Sequence, residues 1–131
     1  PILPLYYSGL DLERHFEFGC RLGQALRSSK QRIALIASGD LAHTHSPASP
    51  AGYSPKAAKF DRRLLDAIAE KNISHITSLQ PEVSLEVKDC GLRSIALLLG
   101  AVSDCDYQPK VLSYEAPFGV GYGVVDMGLI N

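Results

Sequence analysis

Apolar positions recur with a helical period in three parts of the chain. In residues 11–27, apolar residues and glycines return every three or four positions, which predicts an amphipathic helix with one buried stripe. A similar stripe follows Ser54 and Pro55, a favoured order for an N-cap and a first turn, and predicts a helix to about Lys71 with Asn72 as its C-cap. Residues 92–102 are apolar on nearly every side, so we expect a helix inside the core.

Short apolar runs predict the strands. Residues 2–7 and 33–37 are such runs, and the second is unbroken, as in strands that are buried on both faces of a parallel sheet. Because a predicted helix connects the two, we expect a right-handed strand, helix, strand unit whose strands pair in parallel. Residues 109–114 and 120–125 predict two more strands around a turn. The predicted fold class is therefore α/β, a sheet with parallel core strands flanked by helices.

Residues 38–53 have neither a helical nor a strand period and contain two prolines and a glycine, which predicts a long loop. The loop leaves the carboxyl end of the predicted central strand, where open α/β sheets bind their ligands. It carries Asp40, His43 and His45. Imidazole exchanges protons near neutral pH and is a common metal ligand in its neutral form. The loop is thus a candidate site, and the alternative is a pair of exposed histidines beside an aspartate that caps a turn.

A second group of polar residues precedes the predicted buried helix. Residues 73–88, interrupted by a proline at position 81, predict two short helical turns, and the group lies at their end. Carboxylates and a thiolate suit a divalent transition metal. A charged, solvated face followed by an ordinary buried cysteine explains the same pattern, and the residues alone favour this simpler explanation. The group comprises Glu82, Glu86, Asp89 and Cys90.

The glycines in residues 118–123 do not indicate a nucleotide site. The dinucleotide fingerprint lies between a strand and a helix, whereas this run lies inside a predicted strand with no helix after it. A bent or closely packed strand explains the glycines better. Ser38 lacks the first glycine of a nucleophile elbow, which makes a serine hydrolase a minor alternative.

Composition narrows the partners and the compartment. The 131 residues are 46% hydrophobic and 21% charged, which is typical of one globular domain. With a net charge of -1 and no basic run, the chain is not expected to bind nucleic acid. The apolar run at residues 95–102 is far shorter than the roughly 20 residues of a membrane span. Three scattered cysteines fit a reducing compartment, so we expect a cytoplasmic protein that does not bind membranes.

Three stretches of the sequence, taken together and in this order, resemble a known family. They are IALIASGDLAHTHSPASPAGYSPKAAKFDRRLLDAI, DCGLRSIALLLGAV and VLSYEAPFGVGYGVV. On these stretches the chain is similar to the C-terminal half of the class III extradiol ring-cleavage dioxygenase (LigB-like) superfamily, and within it to the Memo-like proteins of the AmmeMemoRadiSam system. The resemblance implies that residues 1–131 are half of one catalytic domain about twice as long, and Pro1 inside a predicted strand fits a missing upstream half.

The resemblance also implies roles for individual residues. In ring-cleaving members a non-haem ferrous ion is bound by two histidines of the N-terminal half and one ligand of the C-terminal half, and a separate histidine acts as base. His43 matches that base, in a motif that includes Asp40 as a second catalytic candidate. Cys90 matches the cysteine that Memo-like members carry at the metal. Ring-cleaving enzymes use a glutamate there, and Glu86 is the nearest candidate.

Two functions follow from the resemblance. In the first, the complete protein uses Fe(II) to open a catechol-type aromatic ring, with the missing N-terminal half as a partner of this chain. In the second, it is a non-catalytic Memo-like module that binds a metal or a partner. In either case we expect the isolated chain to be inactive. A homo-oligomer is compatible with both.

Overall fold

The computed structural model describes residues 1–79 and 81–130, so Gln80, inside the predicted 73–88 segment, lies outside the described residues. The described residues form helices and a two-stranded sheet. Among them, no helix is both long and apolar enough to cross a bilayer. The elements are α1 (Leu12–Arg27), α2 (Ala57–Ala69), α3 (Ile73–Thr77), α4 (Pro81–Val87), α5 (Leu92–Val102), β1 (Lys110–Glu115), a 3-10 turn (Pro117–Gly119) and β2 (Tyr122–Asp126).

Helices α1 and α5 pack with their backbones unusually close. A Cβ atom added at Gly19 would lie 2.1 Å from the carbonyl oxygen of Leu97, and one added at Gly23 would lie 2.1 Å from that of Ala101. The two glycines of the predicted stripe are therefore the contact surface of α1. Phe16, an apolar residue of the same stripe, is only half-buried.

Helix α5 forms inside the core, as its composition predicts. Every residue from Leu92 to Val102 is buried or half-buried. The main cluster lies between α5, α2 and the two short helices, and segment 41–42 joins it. Its largest members, all at most 7% exposed, are Leu41, Phe60, Leu64, Leu65, Ile68, Ile76, Val87, Leu92 and Leu99.

The predicted ends of α2 were each wrong by a few residues. The helix begins at Ala57, and the hydroxyl group of Ser54 accepts the N–H of Lys56 at 3.2 Å while it donates to Glu86. At the other end, Lys71 adopts the left-handed conformation with φ 57°. Asn72, the predicted C-cap, instead caps α3, where its side chain accepts the N–H of His75 at 3.1 Å.

Strands β1 and β2 form the predicted hairpin. They pair antiparallel from Lys110↔Asp126 to Glu115↔Tyr122, with an irregularity between Val111 and Ser113. The connection turns sharply at Phe118 and Gly119, which have φ values of 57° and 82°.

The predicted parallel pair is not formed. Both helices and strands are present, so the mixed α/β class is confirmed, but residues 2–7 and 33–37 lie outside every described strand. Ile36 is 83% exposed, although we expected residues 33–37 to be buried on both faces, and Tyr6 in the other segment is 92% exposed. The physical reason is that a strand needs a hydrogen-bonded neighbour, and neither segment has one among the described residues.

Candidate metal and catalytic site

The predicted loop is fixed at residues 41–45 by backbone hydrogen bonds. Leu41 donates its N–H to the carbonyl oxygen of Gly121 at 2.9 Å, and Gly121 donates back to Ala42 at 2.8 Å. The N–H of His43 donates to the carbonyl oxygen of Val87 at 2.8 Å. This part of the loop therefore lies in a set position between the hairpin and the end of α4.

Close backbone packing brings Cys90 to the same place. A Cβ atom at Gly39 would lie 2.4 Å from the Cα atom of Gly91, so both positions require glycine. The N–H groups of Cys90 and Gly91 donate to the carbonyl oxygen of Asp40 at 3.2 and 2.9 Å. In return, Asp40 donates its N–H to the sulfur of Cys90 at 3.1 Å. The start of the loop and the start of α5 are thus joined at one point.

The side chains of Asp40, His43 and Cys90 meet there. Nε2 of His43 lies 3.4 Å from Oδ2 of Asp40 and 3.9 Å from Sγ of Cys90, and all three ligand atoms lie within 4.8 Å of one another. Metal–ligand bonds of about 2.0–2.3 Å place the ligand atoms of one ion roughly 3–4 Å apart. Nitrogen, oxygen and sulfur donors together suit a divalent transition metal. The three residues can therefore hold a metal ion after small side-chain rotations.

Glu86 lies outside this cluster. Its carboxylate accepts a hydrogen bond from the hydroxyl group of Ser54 at 2.7 Å and one from Nζ of Lys56 at 2.6 Å. These bonds, that from Lys56 first, hold the pKa of Glu86 below its ordinary value. Its role as metal ligand stays a prediction.

The other two members of the predicted acidic group also separate. Glu82 is exposed on α4. Asp89 accepts hydrogen bonds from the hydroxyl group of Ser84 and, at 3.0 Å, from the N–H of Leu92, so it caps the start of α5. Burial raises the pKa of Asp89.

His15 lies outside the cluster of Asp40, His43 and Cys90. His15 is 5% exposed, and its ring accepts the N–H of Ser8 at 3.1 Å and bonds to the carbonyl oxygen of Asp11 at 2.7 Å. An open groove beside Tyr6 and Phe18 includes His15 rather than His43. His15 therefore connects the first residues of the chain to α1.

Sequence reasoning missed Asp61, which is fully buried beside the candidate site. Its Oδ1 accepts the N–H of Ala42 at 2.9 Å. Its Oδ2 lies 2.7 Å from Nε2 of His45 and accepts the hydroxyl group of Tyr114 at 2.9 Å. Burial, followed by this bond, raises the pKa of Tyr114. The available signal was a carboxylate three residues before Leu64, on the apolar stripe of α2.

Comparison with known proteins then places the chain in a family. Residues 1–125 match the sequence profile described as the catalytic LigB subunit of aromatic ring-opening dioxygenase. The chain belongs to the LigB family. The resemblance inferred from the three sequence stretches is confirmed at this level.

Two relatives that the chain matches are longer than the chain. Protein CA_C1420 of Clostridium acetobutylicum is 34% identical over 126 residues, which are 96% of this chain and 27% of the relative. A MEMO1 family protein of Methanococcoides burtonii is 29% identical over 134 residues, 95% of this chain and 47% of the relative. The chain thus spans less than half the length of either.

Proposed function

We propose that this LigB-family chain is one part of a ring-opening dioxygenase that uses Fe(II) to act on a catechol-type aromatic. The observation that carries the proposal is the cluster of Asp40, His43 and Cys90, which sets a proton-exchanging group beside a sulfur ligand. The family match to a catalytic dioxygenase subunit supports the same reaction class.

In this proposal His43 is the general base. Its side chain is 25% exposed, so a phenolic hydroxyl group can reach Nε2 and transfer a proton to it. The carboxylate of Asp40, 3.4 Å from Nε2, stabilises the imidazolium that forms when this nitrogen takes the proton. A histidine that is near the metal without binding it can later return the proton to the product.

Cys90 is the metal ligand that this chain contributes. When bound, a ferrous ion supplies the Lewis acidity that favours ionisation of a catechol and the redox chemistry that dioxygen requires. The N–H of Asp40, 3.1 Å from the sulfur, favours an anionic ligand at that position. One thiolate is too few ligands for a stable iron site, so we propose that the other ligands come from upstream sequence.

The exposed apolar surface supports a missing upstream half. Residues 2–7 and 33–37 present large apolar side chains to solvent, among them Ile2 at 94% and Ile36 at 83% exposure. An apolar surface of this extent typically marks an interface. We propose that upstream strands pair with these segments and complete the predicted parallel sheet, in agreement with the greater length of both relatives.

The second candidate is a non-catalytic protein that binds a metal or a partner. The observation that favours it is the sulfur of Cys90 in the cluster, because a thiolate beside a redox metal is readily oxidised by oxygen.

Catechol turnover separates the two candidates. The experiment uses the longer protein, meaning this chain with the upstream sequence that brings it to the length of its relatives, loaded with Fe(II) without oxygen. Ring opening is followed by the absorbance of the yellow product. We expect His43→Ala to lower turnover by about 10²–10⁴-fold with unchanged iron content. His75→Ala, on α3 and outside the cluster, is the matched control.

The outcomes are distinct. Loss of iron in His43→Ala would mean that His43 is a ligand, in the alternative arrangement where all three residues bind the ion. An iron-loaded longer protein without turnover on any catechol would favour the non-catalytic candidate.

A further inference from the structure

We propose that Asp61 is the positioning residue of this site, which fixes the loop that carries His43. The inference rests on the proposed function for its meaning, because it assigns Asp61 to the same site. It goes beyond that function because it gives a role to a residue outside the cluster. The hydrogen-bond partners of the Asp61 side chain are Ala42, His45 and Tyr114.

Three elements converge on the Asp61 carboxylate. It projects from α2, receives the N–H of Ala42 from the loop, and receives the hydroxyl group of Tyr114 from β1. His45, two residues after the proposed base, bonds to the same oxygen as Tyr114 at 2.7 Å. The carboxylate therefore connects the loop to both the helix and the hairpin.

The missing side chain of Gly121 leaves space for the Asp61 carboxylate beside the hairpin. A Cβ atom at Gly121 would lie 2.0 Å from Oδ2 of Asp61 and 3.2 Å from Nε2 of His45. Only a residue without a side chain fits there, which explains one glycine of the 118–123 run. Gly121 also exchanges backbone hydrogen bonds with Leu41 and Ala42, so the close approach holds the loop as well.

The energetic balance also indicates a specific role. Asp61 is 0% exposed, and His45 is the only basic side chain within 4 Å of its carboxylate among the described residues. A buried carboxylate costs several kcal/mol in lost hydration unless its oxygens are well bonded, and an apolar residue would suit this position on the α2 stripe. The carboxylate forms hydrogen bonds with two loop residues, Ala42 and His45, and an apolar side chain could not form them.

The effect reaches His43 through the backbone. Ala42 is fully buried, its N–H donates to Asp61, and its carbonyl oxygen accepts from Gly121. The next N–H, that of His43, donates to Val87. Both peptide groups that flank the Ala42 Cα atom are thereby fixed, and loss of the carboxylate would leave a buried N–H without a partner.

Asp61→Asn tests the inference with little change in shape, because an amide keeps one acceptor oxygen and can no longer accept from Ala42 on one atom and from Tyr114 on the other. Leu64→Ala, one turn further along α2 and also 0% exposed, is the matched control for a general loss of stability. Amide hydrogen exchange is measured by NMR on the 131-residue chain without metal. We expect exchange at Ala42 and His43 to rise about 10–100-fold more than at the core amides of α2 in Asp61→Asn. In Leu64→Ala we expect all of these amides to rise together.

Tyr114→Phe is the second variant, in case Asp61→Asn does not fold. It removes one hydrogen bond to the carboxylate, so we expect a smaller rise in exchange that is confined to the same loop amides. If exchange at Ala42 and His43 rises only in step with the α2 core in the variants that fold, Asp61 supports the fold alone and the inference is overturned.

Turnover is a second test, because a purely structural role of Asp61 would not change kcat in a variant that remains folded. In the longer protein, at a temperature where both variants remain folded, we expect Asp61→Asn to lower kcat with little change in KM or iron content, and Leu64→Ala to leave kcat unchanged. An equal loss of kcat in both variants would contradict the inference. If the wild type has no turnover but the loop amides respond as expected, the proposed function fails while the role of Asp61 in fixing the loop stands.

Discussion

At the scale of single residues, the sequence indicated members of the candidate cluster but not the residues that hold them in place. His43 and Cys90 could be found because each lies in a motif at the end of a predicted element, and the structure brings them within 3.9 Å. Asp61 could not be found in that way, because its partners are a backbone N–H and two side chains that are distant in sequence. Motifs show residue types, whereas hydrogen bonds across 16 to 53 positions depend on the fold.

The ion pair of Glu86 predicts a small acid sensitivity. Because Lys56 and Ser54 hold the pKa of Glu86 below its ordinary value, the pair contributes stability above that ordinary value. The contribution is lost as the pH falls through the lower, folded-state pKa. We expect Glu86→Gln to be less stable than wild type near neutral pH and equal to it at about pH 3, from urea unfolding at both values.

Glu82→Gln is the control for this prediction, since Glu82 is exposed on the same helix. It should match the wild type at both pH values. A Glu86→Gln deficit that persists undiminished in acid would contradict the ion-pair explanation.

At the scale of elements, period was a better guide than apolar content. The helical period of α1 and α2 predicted helices and buried faces correctly. Both the backbone hydrogen bonds and the apolar stripe of a helix are formed by residues of the same sequence segment, so a local pattern is enough to predict them. An apolar run such as residues 33–37 indicates burial, but it does not show which strand it would pair with. Here the neighbour is absent from the described residues, and the predicted strand is not formed.

The close α1 and α5 contact predicts an unusual sign for a helix substitution. Alanine favours a helix over glycine by up to about 1 kcal/mol, so Gly23→Ala would ordinarily stabilise α1. At this position the new Cβ atom would lie 2.1 Å from the carbonyl oxygen of Ala101, and overpacking costs about 1–3 kcal/mol or more. We therefore expect a net loss of stability in thermal unfolding.

Gln24→Ala, at an exposed position of the same helix, is the control and should be neutral or slightly stabilising. A Gly23→Ala variant that is more stable than wild type would show that the two helices lie further apart than described.

At the scale of the whole molecule, the described residues contain one main buried cluster and two segments with exposed apolar side chains. The buried cluster joins α2, α3, α4 and α5, whereas residues 2–7 and 33–37 contribute little to it. The relatives that the chain matches are more than twice as long. The family and the mixture of helices and strands could be predicted from the sequence, but the parallel pair is not formed because neither segment has a hydrogen-bonded neighbour among the described residues.

If an upstream half covers residues 33–37, one substitution there should affect the stability of the isolated chain and of the longer protein differently. Ile36 is 83% exposed in this chain, so Ile36→Asp should change its stability by less than about 0.5 kcal/mol and reduce its self-association in light scattering. In the longer protein the same position would be buried, and the variant should unfold at a clearly lower temperature.

Gln31→Asp, at a nearby exposed polar position, should have little effect in either context. Equal stability of Ile36→Asp and wild type in the longer protein would show that nothing covers this segment.

The central claim is that Cys90 is the ligand this chain contributes to an iron site completed by upstream sequence. Anaerobic reconstitution with Fe(II), followed by metal analysis, tests it on the isolated chain, the longer protein and two variants of the latter. The account predicts iron far below one equivalent on the isolated chain and near one equivalent on the longer protein, lost in Cys90→Ala and kept in Glu86→Gln. Near-stoichiometric iron on the isolated 131 residues, or full retention in Cys90→Ala, would contradict it.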